Sequence, residues 1–295
     1  MSKRKIGFIG AGTLATALAK GLSRRGHAII GIASRSMDSA HALASRIPGC
    51  QAFSSAHALA HEVDLVFVTT PDDVISNVAA QVTWRPGQWV VHCSGAESIE
   101  ALRPAVAQGA IPGAFHPLQS FAAPGDSIQR FRGIVIALEG EGELLEYLKR
   151  LSRALGATGV VLNPQDKALY HASAAMASNY LVTLMAMASS LWEHFGYGSD
   201  QGIRALAPLM RGTIQNIETL GIPACLTGPI ARGDEGTIQQ HLKALPDELA
   251  TAYAQMGLQT IPIALAKGGI NPQKANSLKN IFSLVMEKQS HVLAG

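Results

Sequence analysis

The chain has 295 residues, a formal net charge of +3, 47% hydrophobic residues and 15% charged residues. This balance excludes an intrinsically disordered chain, which combines low hydrophobicity with high net charge. It also gives no argument for a nucleic-acid-binding surface. The length suggests about two domains of roughly 150 residues each.

The three cysteines, Cys50, Cys93 and Cys225, form no CxxC pair and are an odd set. They are expected to be reduced thiols in a cytoplasmic protein rather than a disulfide framework. The basic start, Ser2 to Lys5, gives no secretory signal. The apolar run after it, Ile6 to Ile9, passes directly into Gly10-Ala11-Gly12, a strand and a turn rather than a signal-peptide core.

In chain order, 5–9 reads as a short buried strand and 13–25 as a helix with Leu14, Leu18 and Leu22 on one face. A second apolar run follows at 28–33, then a helical pattern at 38–46 and a buried strand at 64–69. Residues 72–81 read as a helix opened by acidic side chains, and 88–92, 109–115 and 133–138 as further strands. Short apolar runs alternating with helices predict βαβ units and a parallel sheet. Beyond Asn163-Pro164 the strand signals stop, and helices are predicted over 165–195, 200–220, 236–257 and 272–290. The expected architecture is an α/β Rossmann-type doubly wound parallel sheet over 1–163, followed by an all-α domain over 164–295.

Residues 168–192 carry no formal charge over 25 positions, enough to span a bilayer. The stretch holds His171, Ser173, Ser178, Asn179, Thr183, Ser189 and Ser190, polar groups that are costly in lipid. A helix covered on nearly all sides, within the protein or across a homodimer, is the expectation, with no membrane partner.

The most informative motif is Gly10-Ala11-Gly12-Thr13-Leu14-Ala15, a GxGxxA pattern between a predicted strand and a predicted helix. The first glycine permits the tight turn. The second lets the backbone approach a pyrophosphate at the helix N-terminus, with Thr13 and Leu14 opening the helix. At the end of the second strand, where NAD-binding domains place a carboxylate, the sequence reads Ser34-Arg35-Ser36. A guanidinium between two hydroxyls suits a 2′-phosphate, so NADP(H) is the expected cofactor. Loops after later strands supply Thr69-Thr70-Pro71 and Ser94-Gly95 to line the nicotinamide and ribose, and a third loop offers His116.

In the helical half, Lys167 and His171 share one helix face, with Asn179 about 80° round from His171. Such groups on a largely apolar helix are suited to protonating a carbonyl or imine under reduction. An imidazole changes charge near neutral pH, which favours His171 as acid, with Lys167 as alternative acid or fixed charge and His116 next. Arg232, in the Gly- and Pro-broken stretch 226–234, is placed to hold a substrate anion. No P-loop, no zincin helix and no Cys/His spacing for zinc is present, so no metal is expected.

GAGTLA at the start, ASRS after the second strand, TTPD after the strand at 64–69 and the long helix at 165–195 together resemble the superfamily of pyrroline-5-carboxylate reductase, ketopantoate reductase and 6-phosphogluconate dehydrogenase. FHPLQSF (115–121), DKALYHASAAMASNYL (166–181) and LTGPIARGD (226–234) are similar to a narrower family. That family pairs a Rossmann-like domain with a helical domain of unknown function and is described as NADP-dependent oxidoreductases. The resemblance implies the fold, the cofactor and dimerisation through the helical domain, but no substrate. The chain departs from the Lys-x-x-x-Asn pattern of β-hydroxyacid dehydrogenases, because His171 stands where the Asn would be. The expected activity is NADPH-dependent reduction of a small carbonyl or imine substrate bearing an anionic group. The alternative is a non-catalytic NADP(H)-binding sensor, which would not need Lys167, His171 and Arg232 to converge.

Overall fold

The computed structural model describes residues 4–121 and 127–293; Ser2 and Lys3 of the basic start lie outside them. The chain divides into two compact units, 1–180 and 181–295. The division falls beyond the expected boundary at 163/164 and leaves the helix carrying Lys167 with the first unit.

The first unit begins β1 (Lys5–Ile9), α1 (Thr13–Arg24), β2 (Ala28–Ala33), α2 (Met37–Ala44), β3 (Gln51–Phe53), α3 (Ala56–Glu62) and β4 (Leu65–Val68). It continues α4 (Ile75–Gln81), β5 (Trp89–His92), α5 (Arg103–Val106), β6 (Ile111–Pro117), β7 (Val135–Glu139), α6 (Gly142–Leu155), β8 (Thr158–Val161) and α7 (Lys167–Ala177). The eight strands form one sheet in the order β3-β2-β1-β4-β5-β6-β7-β8. The chain reverses direction across the sheet between β1 and β4, the point at which open α/β sheets bind ligands.

Strands of this sheet read as continuous apolar runs because both faces are covered. Alternate residues serve different cores. Ile6, Phe8, Leu65, Phe67, Trp89 and Val91 pack with α1, α2 and α6. Ile9, Val66, Val68 and Val90 pack on the other face with α3, α4 and α5. Helix α6 covers its face with Leu144, Leu148, Leu151 and Leu155, an amphipathic stripe. Ser36 and Ser55 cap α2 and α3 by accepting hydrogen bonds from the Ser39 and Ala58 amides.

The structure corrects several expectations. The sheet is not wholly parallel, because β7 runs antiparallel to β6. Elements β3, α3, α6 and β8 were not foreseen. Strand β6 extends through His116, which therefore lies in the sheet rather than in the loop after it. The expected helix 165–195 starts as a 3₁₀ turn at Pro164–Asp166 and is broken at Ser178, where ψ is −63° and φ is −114°.

The second unit contains most of α8 (Asn179–Ser190), then α9 (Ser199–Leu220), α10 (Pro229–Arg232), α11 (Glu235–Ala244), α12 (Asp247–Lys267) and α13 (Pro272–Leu293). The expected helix 236–257 is two helices, α11 and α12. Pro246 disfavours helical geometry at Leu245, which is extended at φ −74°, ψ 142°. Stretch 226–234, read as an irregular loop, holds the short helix α10, and Asp234 then caps α11. The core of this unit is Ile238, Ala254, Ile261, Ala275, Leu278 and Phe282.

The uncharged segment is not covered within the chain, the first of the two ways the sequence offers to shield it. Pro164–Phe195 is, among the described residues, the one helix long and apolar enough to cross a membrane, and almost none of it is buried. Leu169, Met176, Tyr180 and Val182 are exposed on it.

Candidate functional site

The glycine turn is tied to its neighbours by backbone and hydroxyl bonds. Gly10 has φ +110°, and a Cβ there would lie 2.7 Å from the Thr69 carbonyl oxygen. Only glycine allows this approach. The Gly10 amide donates to the Ala33 carbonyl at 2.8 Å, and the Thr69 hydroxyl donates to the Ile9 carbonyl at 3.0 Å. Ends of β1, β2 and β4 are thereby held together.

Gly12 is the N-cap of α1 and supplies no side-chain cap. A Cβ on it would meet nothing within 4 Å. The first turn of α1 therefore presents its amides to open space, the arrangement that receives an anion. A cleft of about 290 Å³ lies there, lined by Gly12, Thr13, Thr16, Ser39 and Arg46, among others. Arg46 is a second guanidinium that the spacing argument missed, because it lies two helical turns beyond Ser39 rather than at the end of β2.

Of the other expected cofactor residues, Arg35 is exposed and Ser34 is half-buried. The Ser36 oxygen already accepts from the Ser39 amide at 3.2 Å and the Ser39 hydroxyl at 3.1 Å. Leu14 packs its side chain against the core, so it can serve a ligand only through its backbone. Pro71 is exposed ahead of a 3₁₀ turn at Asp72–Val74. The Thr70 hydroxyl is buried with no partner, an open hydrogen-bonding group at the carboxyl edge of the sheet.

A second cluster forms on that edge beyond β5 and β6. The Ser94 amide donates to His92 Nδ1 at 3.2 Å, which leaves the proton on Nε2 to donate to the Ser98 carbonyl at 3.1 Å. His92 is fully buried, and its pKa falls to about 3, through burial first and the charge of Lys167 second. It is a neutral structural ring.

Gly95 is buried next to it. A Cβ there would lie 2.7 Å from His171 Nδ1 and 2.8 Å from His116 Nε2. Two imidazoles, one from β6 and one from α7, thus meet over a single glycine, with ring centroids 6.3 Å apart. His116 Nδ1 lies 2.9 Å from the Tyr170 hydroxyl oxygen. Burial raises Tyr170 to about 12, so it keeps its proton; with that hydroxyl donating to Nδ1, the His116 proton sits on Nε2. Burial, then the charges of Lys167 and His171, lower His116 to about 4. It is uncharged at neutral pH.

Lys167 does not present its ammonium to a substrate. Its Nζ donates to the Ser94 carbonyl at 3.0 Å and pairs with Glu139 Oε1 at 3.1 Å. Side-chain exposures are 2% for Lys167 and 3% for Glu139. Of the two roles that the sequence offers it, acid or fixed charge, this pairing with Glu139 suits the fixed charge. Glu139, Tyr170 and His92 were missed, since nothing in their local sequence marks them.

Asn179 opens α8 past the break at Ser178 and is exposed. Arg232 ends α10 in the second unit and is also exposed. Among the described residues no group of three or more His, Cys, Asp or Glu is placed to hold a metal ion.

A wider cleft, about 920 Å³, lies elsewhere, at the amino ends of β1 and β5 among Arg4, His27, Trp89, Tyr147 and Arg150. Its groups satisfy one another: Arg4 stacks on Trp89 at 3.5 Å and pairs with Glu143 at 3.6 Å. The carboxyl edge, with its open amides and paired imidazoles, is the better site.

Fold and site together define a Rossmann-type α/β protein with a helical C-terminal region. Residues 1–117 match the Rossmann-like domain, and residues 134–260 match DUF2520, a domain of unknown function. The chain joins these two domains. His116 belongs to the first, whereas Glu139, Lys167, Tyr170 and His171 belong to the second.

Three solved structures share the fold. A protein from Thermotoga maritima is 27% identical, with TM-score 0.73, covering 88% of this chain and 99% of its own. A Bacteroides fragilis protein described as an NADP oxidoreductase is 24% identical, with TM-score 0.71, covering 88% and 98%. A reductive aminase from Aspergillus terreus, in complex with NADPH and ethyl-5-oxohexanoate, is 16% identical, with TM-score 0.60, covering 97% and 95%. No curated protein matches the chain.

Proposed function

We propose that the protein is an NADPH-dependent reductase of a small carbonyl or imine substrate that carries an anionic group. The observation that carries this reading is the meeting of His116 and His171 over Gly95, on the sheet edge that also bears the open N-terminus of α1. The Bacteroides and Aspergillus proteins bring an oxidoreductase and an NADPH-bound reductive aminase to the same fold.

NADPH, when bound, supplies the reducing equivalent. The chain's own part is binding and proton handling. The amides of the first turn of α1 receive the pyrophosphate, and Arg35 with Ser34 and Ser36 receives the 2′-phosphate. Thr69, Thr70, Pro71, Ser94 and Gly95 line the remainder. His116, uncharged, offers its Nε2 proton as a hydrogen bond to the oxygen or nitrogen that gains electron density, and Tyr170 holds the ring in that tautomer. His171 delivers the proton, and the fixed charge of Lys167 lies beneath both. Asn179 and Arg232 are assigned to orienting the substrate and holding its anion. We further propose that the protein works as a homodimer, with the exposed apolar faces of α7, α8 and α9 covered by a second copy.

The test is NADPH oxidation against a panel of 2-keto acids and cyclic imines. His171→Ala should lower turnover by about 10²–10⁴-fold, with NADPH affinity nearly unchanged. Tight NADPH binding without turnover of any panel member would instead favour a sensor. Wild-type turnover in the variant would make His171 a structural residue.

A further inference from the structure

Glu139 and Lys167 form a buried ion pair that touches neither the glycine turn nor any open surface. The Lys167 ammonium donates to the Ser94 carbonyl at 3.0 Å and lies 3.1 Å from Glu139 Oε1. Glu139 Oε2 accepts from the Ile99 amide at 3.4 Å. One pair therefore grips segment 94–99 at both ends. Within it, the Ser94 hydroxyl oxygen accepts from the Ala96 and Glu97 amides at 3.1 and 2.9 Å, and His92 ties the Ser94 amide to the Ser98 carbonyl. Gly95 lies within this tied segment, directly after Ser94 and against both imidazoles.

Stability alone is a poor reason for such a pair, since an apolar pair of similar volume is often as stable as a buried ion pair. A directional bond to one chosen carbonyl is what an apolar pair cannot supply. We propose that Glu139 and Lys167 are a positioning pair: through the Ser94 carbonyl they fix the Gly95 peptide against His116 and His171, and they do not touch the substrate. The inference rests on the reductase reading of the site. It also gives the burial of Lys167 a purpose.

The groups facing His116 are Lys167, Tyr170 and His171 of α7 and His92 of β5, with Glu139 of β7 paired to Lys167. Lys167 lowers the His116 pKa, second only to burial. Removing the pair therefore has two effects, a looser Gly95 segment and a His116 that takes up a proton at higher pH.

The test uses the full chain with NADPH and two variants, the uncharged double variant Glu139→Gln/Lys167→Met and the single variant Lys167→Arg. Amide hydrogen exchange at Gly95, Ala96 and Glu97 and the titration of the His116 ring are read by NMR, and kcat and KM by NADPH oxidation. In the double variant, exchange at the three amides should speed up and His116 should titrate closer to 6.5. Its kcat should fall by about 10²-fold, as for misplaced catalytic groups, with KM for NADPH within about twofold. Lys167→Arg keeps the charge and the donors, so it should retain slow exchange and measurable turnover.

A double variant with wild-type exchange and wild-type kcat overturns the proposal. So does loss of all turnover in Lys167→Arg with exchange unchanged, which would make the amine itself the acid. Should the double variant not fold, the arginine variant decides alone. If the wild type turns over no panel substrate, the reductase reading fails, while exchange and titration still decide the positioning role.

Discussion

His92 and His116 show how burial makes an ionisable side chain report on folding. Their folded pKa values, about 3 and about 4, lie below the ordinary 6.5, with burial the first cause and Lys167 the second. The unfolded chain therefore binds protons at these rings first as pH falls. Stability from their neutral forms is complete above about pH 6.5 and is lost as pH drops towards 4 and then 3. Each tenfold difference in proton affinity is about 1.4 kcal/mol. Urea unfolding at pH 7 and at pH 4.5 should show a marked loss of stability at the lower pH. His92→Gln keeps one donor and one acceptor but does not titrate, so it should lose less between the two pH values. An equal loss in wild type and variant would mean that His92 is not the group responsible.

At the level of elements, cofactor choice is assigned by the proposal to the junction of β1, α1 and α2. The first turn of α1 is open, and the cleft beside it runs from Gly12 and Thr13 to Ser39 and Arg46 of the α2 side. Arg35 is exposed at the start of that side, while Ser36 is engaged in capping α2. A lost charged hydrogen bond costs roughly 1.5–3 kcal/mol, or about 10- to 100-fold in affinity. Arg35→Ala should therefore weaken NADPH by that factor in a fluorescence titration and leave NADH unchanged. Arg46→Ala measures the share of the second guanidinium. Equal binding of NADH and NADPH by the wild type would sink the assignment.

For the whole molecule, the question is what covers the apolar faces. Leu169, Met176, Tyr180 and Val182 are exposed along α7 and α8, and Ile203, Leu209, Ile214, Ile217 and Leu220 along α9. Exposed apolar residues in such number within each stretch are what the proposed second copy would cover. Obligate interfaces resemble a core cut in half, which is why a second copy is the proposed occupant. Sedimentation at low micromolar concentration should show a dimer. Val182→Glu with Leu209→Glu should yield monomers, since each places a charge where water is to be excluded. A wild-type monomer at that concentration would refute the assembly.

The Rossmann-type half was legible in the sequence because its cues are local. A strand followed by GxGxxA and a helix needs its glycines within a few residues, and Arg35 follows at the expected distance. Continuous apolar runs marked the central strands, since both faces of the sheet are covered. Short edge elements such as β3 and β8 bury little and left no pattern to read, and the antiparallel course of β7 depends on pairing rather than composition. The site was legible only in part. His116, Lys167 and His171 were singled out by type and spacing, but their roles depend on what they meet across long stretches of chain. Lys167 is buried against Glu139, which ends a strand beside it, and His116 is neutral because burial first, then the charges of Lys167 and His171, disfavour its protonation. Local spacing determined the fold class and the glycine turn; burial and charge pairing between distant residues, which only the tertiary structure sets, decided which of the candidate groups are enclosed and which partners they meet.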